Sequence, residues 1–279
     1  MGKLINQFKQ IIKNRRNNKL GKNHKSLFYR LAMFICVIVF AFSCFMIGKD
    51  LMASIDNKNT YNSIQETFYE DTGESTTKSE DALESDQGKK VRKEVMSNFQ
   101  SLLEINPSTV GWIRISNTPI DYPVVQGANN DYYLRNNFKN EKNKAGSIFM
   151  DYRNSPNSLD RNTIIYGHHM KDGSMFAGLT KYKEEEFLLE NPVIVFNSKY
   201  EELHWEIFSV YVTDTDFNYI KPDFETDVEF EGFLQTVKEK SLFSTDVDVN
   251  SEDKILTLST CVYDFDDARL VVQAKLIEN

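Results

Sequence analysis

The segment "ILTLSTCVYDFDDARLVVQ", residues 255–273, contains two β-strand patterns separated by a short acidic turn. The first strand pattern ends in Cys261 and the second begins at Arg269. Successive side chains of a strand point to opposite faces, so Leu270 and Arg269 lie on different faces of the second strand. If the two strands pair as a hairpin, the guanidinium can lie close to the thiol, where a cation favours the reactive thiolate. The segment therefore predicts a β-hairpin that carries a nucleophile at one end.

Most of the chain after residue 110 has the same β character. Eight candidate strands are separated by Asn, Asp, Gly and Pro, which favour turns. They cover 110–115, 120–126, 146–151, 162–168, 193–197, 203–213, 254–260 and 269–277. Eight short strands with a few added helices predict a mostly-β domain built as a closed or nearly closed barrel.

Helical patterns flank the predicted barrel and interrupt it. Residues 89–107 place five apolar side chains near one helical face, and Pro107 ends the pattern. Residues 226–240 begin with a capping box, Thr226 and Glu229, and continue with an apolar stripe of Phe230, Phe233, Leu234 and Val237. Shorter patterns at 130–136 and 174–182 also predict helices. We expect one amphipathic helix before the barrel and one helical insertion before the cysteine strand.

The first 48 residues differ from the rest of the chain in charge and hydropathy. Residues 1–30 carry nine Lys or Arg and no Asp or Glu, whereas the remainder has a net charge of −17. Residues 31–48 are an uncharged apolar run, and at about 1.5 Å per residue a helix of this length covers most of a roughly 30 Å hydrocarbon core. A basic N-terminal segment can bind nucleic acid, but the apolar run at 31–48 favours a membrane anchor over a nucleic-acid-binding segment.

The positive-inside rule predicts residues 1–30 in the cytoplasm and everything after the span outside the membrane. The alternatives are a cleaved signal peptide, which has a shorter apolar stretch and a small-x-small cleavage site, and a buried core helix. Residues 49–88 are polar and acidic and predict a flexible extracytoplasmic stalk, with a short helix near Tyr61–Phe68. Residues 89–279 remain as one folded domain.

Outside the apolar run the chain has one cysteine, Cys261, so the predicted extracytoplasmic domain has no internal disulfide. Three histidines lie in this domain, and His168 and His169 follow a predicted strand, where rigidity and access coincide. His204 lies inside a strand pattern beside a tryptophan and is interpreted as structural. Histidine is the commonest general acid–base partner of a thiol. The structural alternatives are packed histidines and a surface arginine that pairs with Asp264, Asp266 or Asp267.

These motifs together resemble the sortases, the cysteine transpeptidases of Gram-positive cell surfaces. The resemblance is carried by "TLSTC" at 257–261, by the arginine eight residues after the cysteine, and by "YGHHM" at 166–170. The segments at 110–134, 146–154 and 164–176 are similar to class B sortases in particular. The similarity covers roughly 90–279 and implies the closed eight-stranded sortase-type β-barrel.

The resemblance also implies roles for individual residues. Cys261 matches the nucleophile that forms a thioester with a sorting signal, His168 matches the general acid/base, and Arg269 matches the arginine that orients substrate and stabilises the oxyanion. Thr260 is similar to the residue whose backbone helps to form the oxyanion site. Residues that class B members use to line the peptide groove fall at Ser259, Asn130 and Leu134.

The implied partners are a sorting-signal peptide of secreted surface proteins and an amine of peptidoglycan or its precursor. The class B resemblance gives no reason to expect a metal or another cofactor. Two rival functions share the same residues. A cysteine endopeptidase would release its product to water, and a non-catalytic, membrane-tethered β-domain would bind wall or protein ligands without using the thiol.

Overall fold

The computed structural model describes residues 2–70 and 94–277. The chain forms two compact units, Met1–Ile55 and Asp56–Asn279. Helix α1 (Gly2–Glu70) runs through the first unit and contributes its last residues, 56–70, to the second. Within Phe28–Glu70 this helix has an apolar stretch of mean hydropathy 2.7, with no buried residue, that is long enough to cross a membrane.

The second unit is a closed barrel whose strands, in the described residues, run in the spatial order β1-β2-β3-β4-β7-β8-β6-β5. Two neighbouring pairs, β2–β3 and β4–β7, are parallel and the other pairs are antiparallel. This architecture confirms the predicted eight-stranded barrel. The strands are β1 (Thr109–Ile115), β2 (Asp121–Gln126), β3 (Ile148–Met150), β4 (Asn162–Tyr166), β5 (Val193–Ser198), β6 (His204–Thr213), β7 (Ile255–Cys261) and β8 (Arg269–Leu276).

The predicted helical insertion is present as α4 (Asp227–Lys240), in the connection between β6 and β7. The Thr226 side chain accepts a hydrogen bond from the Glu229 backbone N–H, as the capping box predicts. The apolar stripe of α4 packs on side chains from the outer face of the barrel, including Tyr211, Ile255 and Val271. The residues of the stripe are all buried: Phe230, Phe233, Leu234 and Val237. This second apolar cluster covers one outer side of the sheet.

The remaining helices are short. They are α2 (Ser97–Ile105), a 3-10 helix (Phe176–Lys183) and α3 (Glu185–Glu190). Helix α2 confirms the predicted helix before the barrel but begins later than predicted, because residues 94–96 are not helical and Met96 precedes it with a ψ of 144°. Residues 89–93 of the predicted helix lie outside the described residues. The prediction of a helix at 130–136 is wrong, because these residues form turns. The side chain of Asn129 accepts hydrogen bonds from the backbone N–H groups of Asp131 and Tyr132, which stabilises a turn instead.

The end of α1 differs from the predicted flexible stalk. Tyr61, Ile64 and Phe68 are buried in the barrel's main apolar core, and Phe68 stacks on Trp112 with ring centroids 3.9 Å apart. The spacing i, i+3, i+7 places these three side chains on one helical face, so an otherwise polar segment can bury a narrow stripe. Residues 56–70 are therefore a docked helix, and residues 71–88 of the predicted stalk lie outside the described residues.

Candidate active site

The thiol and the arginine of segment 255–273 lie directly opposite each other on the two strands of a hairpin. Strands β7 and β8 pair in antiparallel register, and Cys261 and Arg269 are Cα partners. Residues directly opposite each other in an antiparallel pair project from the same face. Cys261 is exposed, and the Arg269 guanidinium donates hydrogen bonds through one nitrogen to the carbonyls of Asp267 and Ala268, at 2.9 and 3.1 Å. In the described residues the Arg269 guanidinium therefore bonds to backbone carbonyls, and not to the carboxylate of Asp264, Asp266 or Asp267 as the ion-pair alternative requires.

The histidine pair follows the strand next to the cysteine strand. Strands β4 and β7 are parallel, and their last Cα pair is Tyr166 with Ser259. His168 and Cys261 each lie two residues after that pair, and neighbouring strands are about 4.8 Å apart. The register therefore brings the two residues to the same end of the barrel on adjacent chain segments.

Gly167, between the strand and His168, connects the two segments further. Its backbone N–H donates to the Ser259 carbonyl at 3.3 Å, and its carbonyl accepts a hydrogen bond from the Thr260 hydroxyl at 2.8 Å. A Cβ atom at position 167 would lie 2.5 Å from the Ile148 side chain and 2.6 Å from the Phe176 ring. Only glycine fits so close to these two side chains. The two hydrogen bonds hold the peptide before His168 against β7, the strand that carries Cys261.

The His168 ring is oriented by a backbone carbonyl. Its Nε2 lies 2.8 Å from the Leu134 carbonyl oxygen. Because a carbonyl oxygen can only accept, Nε2 carries a hydrogen and Nδ1 is the ring nitrogen left to exchange a proton. Leu134 therefore belongs to the site through its backbone, as the support of the imidazole.

The second histidine of the pair contacts the cysteine strand directly. The Nδ1 of His169 lies 3.0 Å from the Cys261 carbonyl oxygen, so this nitrogen donates. The ring also packs against Tyr263, with centroids 5.4 Å apart. His204, by contrast, begins β6 at the opposite end of the barrel, with Nε2 3.5 Å from the Glu202 carboxylate. His169 holds the backbone of Cys261, and His204 is remote from it.

Residues 113–277 match the Sortase domain family. This chain belongs to the sortase family. It is 43% identical over 255 residues to sortase B of Listeria monocytogenes, covering 91% of this chain and 98% of that protein. It is 44% identical over 191 residues to sortase B of Staphylococcus aureus, covering 68% and 78% of the two chains. The family resemblance inferred from the motifs is confirmed, and sortases are cysteine transpeptidases of cell-wall anchoring.

Solved structures agree with the sequence relatives. The S. aureus sortase B–substrate complex superposes with a TM-score of 0.71 at 38% identity, covering 81% of this chain and 99% of that chain. Sortase B from Bacillus anthracis in complex with AAEK1 gives a TM-score of 0.69 at 41% identity, covering 82% and 100% of the two chains. The barrel of this sortase is therefore that of class B.

Tyr219 is a member of the sortase site that the motifs do not reveal. Its hydroxyl lies 2.9 Å from the Ser259 hydroxyl, and both residues are buried. Burial raises the pKa of Tyr219, the Ser259 hydrogen bond and the Arg269 charge oppose the rise, and the charge of Cys261 adds to it. Tyr219 therefore lies within electrostatic range of the Cys261–Arg269 pair at the turn end of the hairpin. It lies in the β6–β7 connection, whose path over β7 no local spacing predicts.

Asn130 of this sortase uses its amide to support the neighbouring strand end. Its Nδ2 donates to the Asp151 carboxylate at 3.0 Å, and its Oδ1 accepts from the Tyr152 backbone N–H at 3.0 Å. The buried Asp151 also accepts two bonds from the Arg153 guanidinium, one from the Arg153 backbone N–H and one from the Tyr166 hydroxyl. Burial acts to raise the pKa of Asp151, but the Arg153 hydrogen bonds hold that pKa below its ordinary value.

In the described residues, no three His, Cys, Asp or Glu side chains are grouped to hold a metal ion.

Proposed function

We propose that this sortase is a membrane-anchored cysteine transpeptidase that cleaves a sorting-signal pentapeptide and transfers the acyl group to a peptidoglycan amine. One observation carries the proposal. The exposed Cys261 lies opposite Arg269 at the end of a hairpin, and the parallel β4–β7 register brings His168 to the same end. A thiol, a base and a guanidinium are the groups that acyl transfer through a thioester requires.

The first half-reaction forms the thioester. The Cys261 sulfur attacks the carbonyl carbon of the threonine in the sorting signal, and its proton passes to Nδ1 of His168. Arg269 and the backbone N–H of Thr260 donate hydrogen bonds to the developing oxyanion. The carbon–nitrogen bond then breaks, the leaving amine takes the proton from His168, and the acyl group remains on sulfur. Asn130 and Leu134 are proposed to border the groove in which the peptide binds, whereas Ser259, expected there from the resemblance, is buried and bonded to Tyr219 instead.

The second half-reaction returns the free thiol. An amine of the peptidoglycan peptide gives a proton to His168 and attacks the thioester carbonyl, again through an oxyanion near Arg269. The carbon–sulfur bond breaks, and the thiolate of Cys261 recovers the proton. The product is an amide between the surface protein and the wall, with no net consumption of water.

The N-terminal unit supports a site close to a membrane. The basic residues 1–30 precede the apolar stretch within Phe28–Glu70, which favours a cytoplasmic N-terminus and an extracytoplasmic barrel by the positive-inside rule. A tether of this kind raises the effective concentration of substrates that are themselves held at the membrane. The proposed location is therefore the cell membrane, crossed once.

The acceptor decides between a transpeptidase and an endopeptidase. The full chain in detergent is incubated with a panel of sorting-motif peptides, with and without triglycine or a peptidoglycan stem peptide. We expect the amine to increase total product and to appear in an amide product identified by mass spectrometry. Cleavage that yields only the carboxylic acid, at a rate independent of both amines, would favour the endopeptidase. No cleavage of any peptide in the panel would favour the binding domain.

Replacing Arg269 by lysine tests the proposed oxyanion role. A lysine keeps the charge but lacks the planar fork that can donate two parallel hydrogen bonds. We expect kcat to fall by about 10²-fold, comparable to the loss of one oxyanion-hole donor. The matched control is Arg114→Lys, an exposed arginine on β1, which should leave kcat unchanged. Turnover of Arg269→Lys at the wild-type rate would remove Arg269 from the oxyanion site.

A further inference from the structure

We propose that Tyr61, on the docked end of α1, is a positioning residue for the histidine pair of the active site. The inference rests on the proposed function, because it assigns Tyr61 to the orientation of the imidazole that serves Cys261. Tyr61 is buried, and it reaches both histidines through short chains of contacts. Each chain passes through two intermediate residues in the barrel.

The first chain of contacts leads to His168. The Tyr61 hydroxyl donates a hydrogen bond of 3.1 Å to the Gly146 carbonyl. Gly146 has a positive φ of 59°, and a Cβ atom there would lie 2.5 Å from the Tyr133 carbonyl oxygen and 2.9 Å from that of Leu134. The Gly146 backbone therefore packs directly against the carbonyl that accepts the Nε2 hydrogen of His168. A shift of the Gly146 peptide would move the acceptor that orients the imidazole.

The second chain of contacts leads to His169. The Tyr61 ring packs edge-on against the Tyr122 ring, with centroids 5.1 Å apart, and the Tyr122 hydroxyl accepts a 3.1 Å hydrogen bond from the Met175 backbone N–H. Met175 forms an isolated β-bridge with His169. Its φ of 56° is uncommon for a residue with a side chain and persists only where surrounding contacts impose it. The Tyr122 hydroxyl is one of those contacts.

Docking of the helix does not depend on the Tyr61 hydroxyl alone. Farther along the same helix, Phe68 stacks on Trp112, and the Tyr69 hydroxyl donates to the Asp121 carboxylate at 2.9 Å. These contacts lead to β1 and β2. Tyr61→Phe therefore removes the link to Gly146 while the helix stays docked, and Tyr69→Phe removes a more exposed hydroxyl of the same helix that bonds to Asp121 instead.

The test compares these two variants, as full chains in detergent, on one fluorogenic sorting-motif peptide. For Tyr61→Phe we expect kcat to fall about fivefold, the effect of one lost hydrogen bond of ordinary net strength, with KM within about twofold of wild type. We also expect the ¹⁵N signals of the His168 ring to shift or broaden and the pH profile of kcat to move. Tyr69→Phe should change none of these quantities. Tyr122→Phe, which removes the acceptor for Met175, should lower kcat in the same way.

Two results would overturn the inference. One is wild-type kcat, pH profile and His168 signals in Tyr61→Phe, whatever the effect of Tyr122→Phe. The other is an equal loss in Tyr61→Phe and Tyr69→Phe, which would indicate general destabilisation. Neither result would touch the proposed function, because that function fails only if the wild-type chain itself gives no Cys261-dependent acyl transfer.

Discussion

Replacement of Cys261 by alanine is expected to abolish both peptide cleavage and amide formation. The variant keeps the barrel, because the side chain is exposed at the end of β7 and contributes little to the apolar core. Without the sulfur no thioester forms, and loss of a nucleophile of this kind lowers kcat by about 10⁶-fold in a serine protease. The measurement is initial velocity on a sorting-motif peptide, with circular dichroism to verify the fold.

The chain offers a matched control for this variant. Cys44 is an exposed cysteine of the apolar stretch, and Cys44→Ala removes the same thiol group far along the chain from the hairpin. We expect wild-type velocity from Cys44→Ala. Appreciable turnover by Cys261→Ala would mean that another group attacks the substrate, and a non-catalytic function would then have to be reconsidered.

Replacement of His168 by alanine has the second-largest expected effect. General acid–base catalysis contributes about 10²–10⁴-fold, and here the same imidazole is proposed to take the thiol proton and to protonate the leaving amine. We expect kcat to fall by about 10³-fold, close to the middle of that range. The rate at which iodoacetamide alkylates Cys261, measured against pH, should also lose its dependence on imidazole ionisation.

Two other histidines serve as controls for His168→Ala. His169→Ala removes a donor to the Cys261 carbonyl and should lower kcat moderately, while leaving the pH dependence of alkylation intact. His204→Ala, at the opposite barrel end, should leave both quantities unchanged. A larger loss in His169→Ala than in His168→Ala would transfer the acid–base role to the second histidine of the pair.

The strands and the hairpin of this fold are predictable because their causes are local. Alternating apolar residues and intervening turn residues specify the eight strands, and the capping box at Thr226 specifies the start of α4. The pairing of Cys261 with Arg269 follows from a hairpin with a short connection. What the strand patterns leave open is which strands become neighbours. The parallel β4–β7 pairing, which brings His168 to the cysteine, joins segments about 90 residues apart.

Three features of the structure could not be predicted from the sequence patterns, and each has a physical reason. The segment 56–70 buries only a narrow stripe, so its composition predicts a flexible stalk with a short helix near Tyr61–Phe68 but not the docking of that helix on the barrel. The turns at 130–136 depend on the side chain of Asn129, which competes with helix formation. The contact of Tyr219 with Ser259 depends on the path of a long connection over β7. In each case a contact with a neighbouring element, or one side chain, outweighs the local pattern.

The most direct test of this account is the identification of the acyl-enzyme. The full chain in detergent is mixed with a sorting-motif peptide, quenched in acid within one turnover, and digested for mass spectrometry. We predict that the fragment containing Cys261 gains the mass of the peptide's N-terminal part, and that hydroxylamine releases this mass as a hydroxamate. Peptide cleavage with no adduct on Cys261, or an adduct on any other residue, would contradict the claim that Cys261 forms the acyl-enzyme.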